Sequence, residues 1–172
     1  ISVDPTNNML SSSYDPSRKT LNISNDITHS STISGTGILA HELGHALQDQ
    51  KGSFLSGIRQ MIVPAVNIGT NLGYFMIIIG LILQFSTLSW IGLILFSLTT
   101  IFILITLPLE IDASVKANKI LRKNQICYPQ EMPKVNKILV AAAFTYVAAL
   151  FQSLGQLAFF FLQVRGISRR ND

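Results

Sequence analysis

Residues 60–109 carry no charged side chain, a run of fifty residues. A helix that crosses a bilayer needs about 20 consecutive apolar residues, so the run is long enough for two crossings. It also carries its own break. Gln84, Ser86, Thr87 and Ser89 interrupt the apolar sequence just ahead of Trp90, an aromatic suited to the membrane–water interface. The run therefore predicts two spans, residues 65–85 and 87–107, joined by a short turn, with Pro64 and Pro108 bracketing the pair. A soluble helical hairpin buried on all sides is the alternative, and the charge-free length disfavours it. Residues 138–164 form a second charge-free stretch, of 27 residues, and predict a third span at 138–162. Its segment from Ala141 to Ala149 is rich in alanine, and small residues let neighbouring helices approach closely.

Composition agrees. The chain has 172 residues, of which 48% are hydrophobic and 13% charged, where a soluble domain carries about 25% charged residues. The net charge of +4 is modest and gives no sign of a nucleic-acid partner; the basic residues cluster near apolar segments, as at a membrane surface. A single cysteine, Cys127, excludes an intrachain disulfide framework and leaves metal binding to histidine and carboxylate. The expected fold is mainly α: one polytopic helical membrane domain over residues 1–172.

Residues 1–64 are the polar N-terminal part. Met9 and Leu10 on one side, and Lys19 to Ser24 on the other, flank the turn signal Tyr14-Asp15-Pro16-Ser17-Arg18. Leu21 and Ile23 alternate with polar neighbours, so a short β-hairpin is expected there, open to pairing with an extended peptide or simply structural. Residues 108–137 form a polar, basic helix or loop. With three spans, residues 1–64 and 108–137 share one side of the membrane. That side holds ten Lys/Arg, while only Arg165, Arg169 and Arg170 lie on the other, so the positive-inside rule places the ten in the cytoplasm of a bacterial-type plasma membrane.

The stretch His41-Glu42-Leu43-Gly44-His45 reads H-E-x-x-H within an apolar, helical-looking segment that runs to about Gln50, with Gly52 as a natural stop. A hydroxyl residue among Ser30, Ser31 and Thr32 is expected to cap it, and His29, the third histidine, is expected at the surface. Residues four apart share a helix face, so His41 and His45 can ligate one metal ion while Glu42 accepts a proton from a water. Zinc suits such a site, with three protein ligands and an open position. A hairpin of two spans brings Glu110, the first charge after the fifty neutral residues, back to the side of this helix. Glu110 is therefore the candidate third ligand and Asp112 its competitor. Ser114 shares the face of Glu110 and can hydrogen-bond a ligating histidine.

Five segments together resemble a known family: Ser12-Ser13-Tyr14-Asp15-Pro16; Ala40-His41-Glu42-Leu43-Gly44-His45-Ala46-Leu47-Gln48; residues 63–73; Thr106-Leu107-Pro108-Leu109-Glu110-Ile111-Asp112-Ala113-Ser114; and residues 141–149. Over residues 12–150 the chain is similar to the YugP family of neutral zinc membrane metallopeptidases. More distantly it resembles HtpX-type and CAAX-prenyl-protease gluzincins, which follow H-E-x-x-H with E-x-x-A-D; here Ser114 stands where those relatives carry aspartate. The resemblance implies a membrane helix ahead of Ile1, so the sequence is expected to be a truncated or processed form.

These readings converge on a membrane-embedded endopeptidase with one zinc ion, acting on peptides or proteins, membrane proteins among them, at the cytoplasmic face. Glu42 is its expected general base, and Tyr146 is a candidate oxyanion donor, although an interfacial or packing role is the favoured account of Tyr146. The rival reading is a zinc-binding scaffold without catalysis, which would have no need of Glu42.

Overall fold

The structure, a computed structural model, describes residues 1–6, 12–29 and 32–171, with the side chains of all but 28, 29 and 171. Three strands, β1 (Ser2–Thr6), β2 (Ser13–Asp15) and β3 (Thr20–Ser24), precede five helices: α1 (Asn25–His29), α2 (Ile33–Gln50), α3 (Phe54–Ile82), α4 (Ser86–Lys123) and α5 (Met132–Asn171). The chain divides into two compact units. One comprises Ile1–Gly57 and Leu107–Thr145, the other Ile58–Thr106 and Tyr146–Asp172.

In the first unit, β2 and β3 form the expected antiparallel hairpin. Its turn is set by Asp15, whose carboxylate accepts the backbone N–H groups of Ser17 (2.9 Å) and Arg18 (3.2 Å). Leu21 and Ile23 on β3 are buried, but so are the polar Thr20 and Ser24, so this central strand is covered on both faces rather than half-buried as its alternation suggests. The hairpin is not the whole sheet, however. β1 pairs in parallel with β3, giving the order β1-β3-β2. Met9 and Leu10 lie outside the described residues.

Helix α2 is fixed at both ends by its own sequence. Thr32 caps it, its hydroxyl accepting the Gly35 N–H at 3.0 Å. At the other end Gly52 takes φ +63°, its N–H bonds the Asp49 carbonyl (2.9 Å), and the Ser53 N–H bonds the Gln48 carbonyl (3.0 Å). This is the Schellman arrangement that a left-handed glycine permits. Between the caps, Gly37, Ala40, His41, Gly44 and Gln48 are buried, spaced three or four residues apart on one stripe. Small residues dominate that stripe, and the second half of α4 lies close on it. A Cβ on Gly44 would collide with the Ala113 carbonyl oxygen and sit 3.0 Å from the carbonyl carbon. Ala40, Ala117, Leu121, Met132, Val135 and Leu139 complete this core, with Cys127 packed at its edge.

In the second unit, Ile77, Leu93, Phe96, Phe160 and Val164 form the core. The α3 and α4 backbones touch at glycines: a Cβ on Gly73 would lie 2.7 Å from the Gly92 carbonyl oxygen, and one on Gly92 2.7 Å from the Gly73 carbonyl oxygen. The Thr70 and Thr99 hydroxyls bond across the same pair at 2.5 Å. Outward-facing side chains are large and apolar, Phe75, Ile82, Phe151 and Leu162 among them. Helices α3, α4 and α5 are each long and apolar enough to cross a membrane.

The helices extend beyond the expected spans, and both prolines lie inside helices rather than at their borders, Pro64 in α3 and Pro108 in α4. A helical proline loses one backbone hydrogen bond, and apolar helices tolerate the loss where neighbouring groups take up the freed carbonyl. The basic segment after Pro108 continues α4 to Lys123 before the chain turns towards α5.

Candidate metal centre

Three side chains meet in the first unit. His41 and His45 project from one face of α2, their ring centroids 4.8 Å apart and nearly perpendicular. Glu110 on α4, 2% exposed, reaches both: its Oε2 lies 3.1 Å from His41 Nε2 and 3.4 Å from His45 Nε2. One potential donor atom from each of the three falls within 4.8 Å of the others, a group able to hold a metal ion. Asp112 is outside that group, and its carboxylate is bonded by Gln48 and by Lys116. Of the two acids that close the apolar run, Glu110 is therefore the one that faces the histidines.

The outer nitrogens of both rings are engaged, which leaves the Nε2 atoms directed at the centre. Ser114 Oγ lies 3.2 Å from His41 Nδ1 and 3.2 Å from the Leu139 carbonyl oxygen. A carbonyl only accepts, so the hydroxyl hydrogen goes to Leu139 and the Ser114 oxygen accepts from His41 Nδ1–H. That choice puts a ring proton on Nδ1 and makes Nε2, 3.1 Å from Glu110 Oε2, the nitrogen that a metal would take. His45 Nδ1 is 3.0 Å from the Gln48 side-chain oxygen.

Glu42 follows His41 and turns towards the sheet, where its Oε2 accepts the Tyr14 backbone N–H at 2.8 Å. The Tyr14 hydroxyl donates to Asp49 Oδ2 at 2.7 Å, so the edge of β2 is fastened to α2 at two points. Burial is the largest influence on Glu42 and pushes its carboxyl above the ordinary glutamate range, against the opposing pull of His45, the Tyr14 N–H and His41. For His45, burial alone would lower the pKa; the hydrogen bond and charge of Glu110, followed by Glu42 and Gln48, more than reverse it, and the net direction is upward.

His41, Glu42, His45, Glu110, Ser114 and Asp112 thus gather in one unit. Tyr146 is half-buried on α5 in the other unit, and the side chain of His29 is outside the described residues. Two contributors went unread in the sequence. Gln48 carries no charge and stands outside H-E-x-x-H; the available signals were its place three residues after His45 on the same helix face and its position at the end of the Ala40–Gln48 segment. Tyr14 acts partly through its backbone, which no side-chain pattern reveals.

Among known proteins, the family described as "Putative neutral zinc metallopeptidase" matches residues 1–165. The "Putative membrane protease YugP" of Bacillus subtilis (strain 168) is 37% identical over 157 residues, which cover 91% of this chain and 70% of that relative. No solved structure matches.

Proposed function

This chain belongs to the neutral zinc metallopeptidase family, and from that premise we propose that it is a membrane-embedded endopeptidase with one zinc site, held by His41, His45 and Glu110. The observation that carries the reading is the convergence of those three donors within 4.8 Å, with Glu42 on the adjoining residue. The donor set suits zinc: two imidazoles whose Nε2 atoms face one carboxylate, the set found in many zinc peptidases. When bound, zinc polarises a scissile carbonyl and lowers the pKa of a water to about 7.

The protein's own groups supply the rest. Glu42 takes a proton from the attacking water and delivers it to the departing amine. The Tyr14 N–H holds the carboxylate in place. Ser114 and Gln48 fix the imidazoles. Substrates are peptides or proteins, with membrane proteins the natural class for a chain that carries three helices long and apolar enough to cross a membrane. The distribution of lysine and arginine favours a cytoplasmic site.

A paired measurement tests this: zinc content and cleavage of an unfolded protein by the full-length protein and its Glu42→Gln variant, both in lipid. The expected result is about one zinc in each and a rate loss of about 10²–10⁴ in the variant, the usual worth of a general base. Equal zinc with no cleavage by either protein would favour a zinc-binding scaffold. Absence of zinc from both would remove the metal site itself.

A further inference from the structure

Gln48 is among the largest fully buried side chains of the molecule, 1% exposed, and every polar atom of its amide has a partner. Its nitrogen lies 2.7 Å from the Leu109 carbonyl oxygen and 2.8 Å from Asp112 Oδ2. Its oxygen lies 3.0 Å from His45 Nδ1. The two ends of an amide look alike, but these surroundings distinguish them. The Leu109 carbonyl can only accept, and Asp112, which also receives Lys116, is an acceptor as well. The NH₂ end must therefore face α4, which leaves the oxygen to accept from His45 Nδ1–H. A proton of His45 is thereby held on Nδ1, and Nε2, which faces Glu110 at 3.4 Å, is the nitrogen that a metal would take.

The same amide reaches the chain on either side of the third ligand, since Leu109 precedes Glu110 and Asp112 follows it by two residues. We infer that Gln48 is a positioning residue for the metal centre, joining the helix that carries His45 to the helix segment that carries Glu110 and fixing the tautomer of His45. Ser114 holds His41 from the α4 side, and Gln48 holds His45 from the α2 side, so each imidazole has its own orienting partner. This inference rests on the zinc-site reading above. It assigns Gln48 no contact with substrate.

The test uses the full chain in detergent with ¹⁵N-labelled histidine, and reads zinc affinity by chelator competition together with the imidazole N–H resonances. In the wild type, the Nδ1–H of His45 is expected to be protected from exchange with water. Gln48→Met keeps the bulk and removes the amide; zinc affinity should fall by about 10- to 100-fold, the usual effect of removing a partner that orients a ligating histidine, and the protection should be lost. Gln48→Glu keeps an acceptor for His45 but sets a carboxylate against Leu109 and Asp112, so affinity should also fall. Adding Asp112→Asn returns a donor to the carboxylate and should recover most of the loss, which a purely space-filling role would not do. Zinc affinity within about two-fold of wild type in Gln48→Met, with His45 still protected, would overturn the inference. That result, alongside wild-type zinc binding and a Glu42→Gln variant that does not cleave, would leave the proposed function standing. A wild type that binds no zinc would remove both.

Discussion

At Tyr14, one residue ties the sheet to the metal-bearing helix in two ways. Its N–H meets Glu42, and its hydroxyl meets Asp49. Burial, followed by the Asp49 hydrogen bond and the charges of Asp49 and Asp15, pushes the phenol up to about 12. A folded-state pKa above the unfolded value of about 10 means that folding favours the protonated phenol. Its contribution to stability is therefore complete below pH about 10 and is lost as the pH rises from there to about 12. Tyr14→Phe should cost about 1 kcal/mol at neutral pH, the net worth of one such hydrogen bond. The difference from wild type should then shrink across that alkaline window. Chemical unfolding at a series of pH values checks the first point. The tyrosinate absorbance of wild type minus Tyr14→Phe checks the second, and a difference titration centred near 10 would show that the hydroxyl does not bond Asp49 in solution.

Among the elements, the contact of α2 with the second half of α4 decides whether the ligands meet at all, and Gly44 sets its closeness. A Cβ there would press on backbone atoms of Ala113, which cannot rotate away as a side-chain tip can. Gly44→Ala should therefore cost about 1–3 kcal/mol, as overpacking does, and weaken zinc binding by parting His41 and His45 from Glu110. Gly57→Ala on α3, with nothing within 4 Å of the added carbon, is the control and should be neutral or slightly stabilising. Thermal melts and zinc affinity of the two variants decide it; equal behaviour would mean that the helices can separate without cost. How far the sequence discloses these elements follows from the range of the interactions. The i, i+4 spacing of His41 and His45 is local and readable. Glu110 is readable too, because two apolar spans must return the chain to the side it left. The partners of Gln48, Leu109 and Asp112, are 61 and 64 residues away, beyond any local pattern. Strand β1 escapes for a similar reason. Ser2-Val3-Asp4-Pro5-Thr6 lacks hydrophobic alternation, and its parallel pairing with β3 is a contact across an intervening stretch that holds β2 and its turn. Pro64 and Pro108 mislead because a rule drawn from water-exposed helices reads them as borders, whereas here the helices continue through them.

For the whole molecule, the distribution of charge makes a claim about sidedness that α5 alone can test. Its 40 residues span about 60 Å at 1.5 Å per residue, twice the roughly 30 Å of a bilayer's hydrocarbon core. Tyr128, 74% exposed just ahead of α5, lies in the basic segment assigned to the cytoplasm, and exposed Arg169 lies near the far end. The chain has one cysteine, so Cys127→Ala provides a background free of thiols. In that background, Tyr128→Cys should resist a membrane-impermeant maleimide in intact bacterial cells and react after permeabilisation, while Arg169→Cys should react in intact cells. The reverse pattern would turn the site outward and change its substrates from cytoplasmic to extracytoplasmic chains. Labelling of both positions from one side would show that α5 does not cross. The metal centre would survive that result, since every group in it belongs to the first unit, but the count of ten basic residues on one face would lose its meaning.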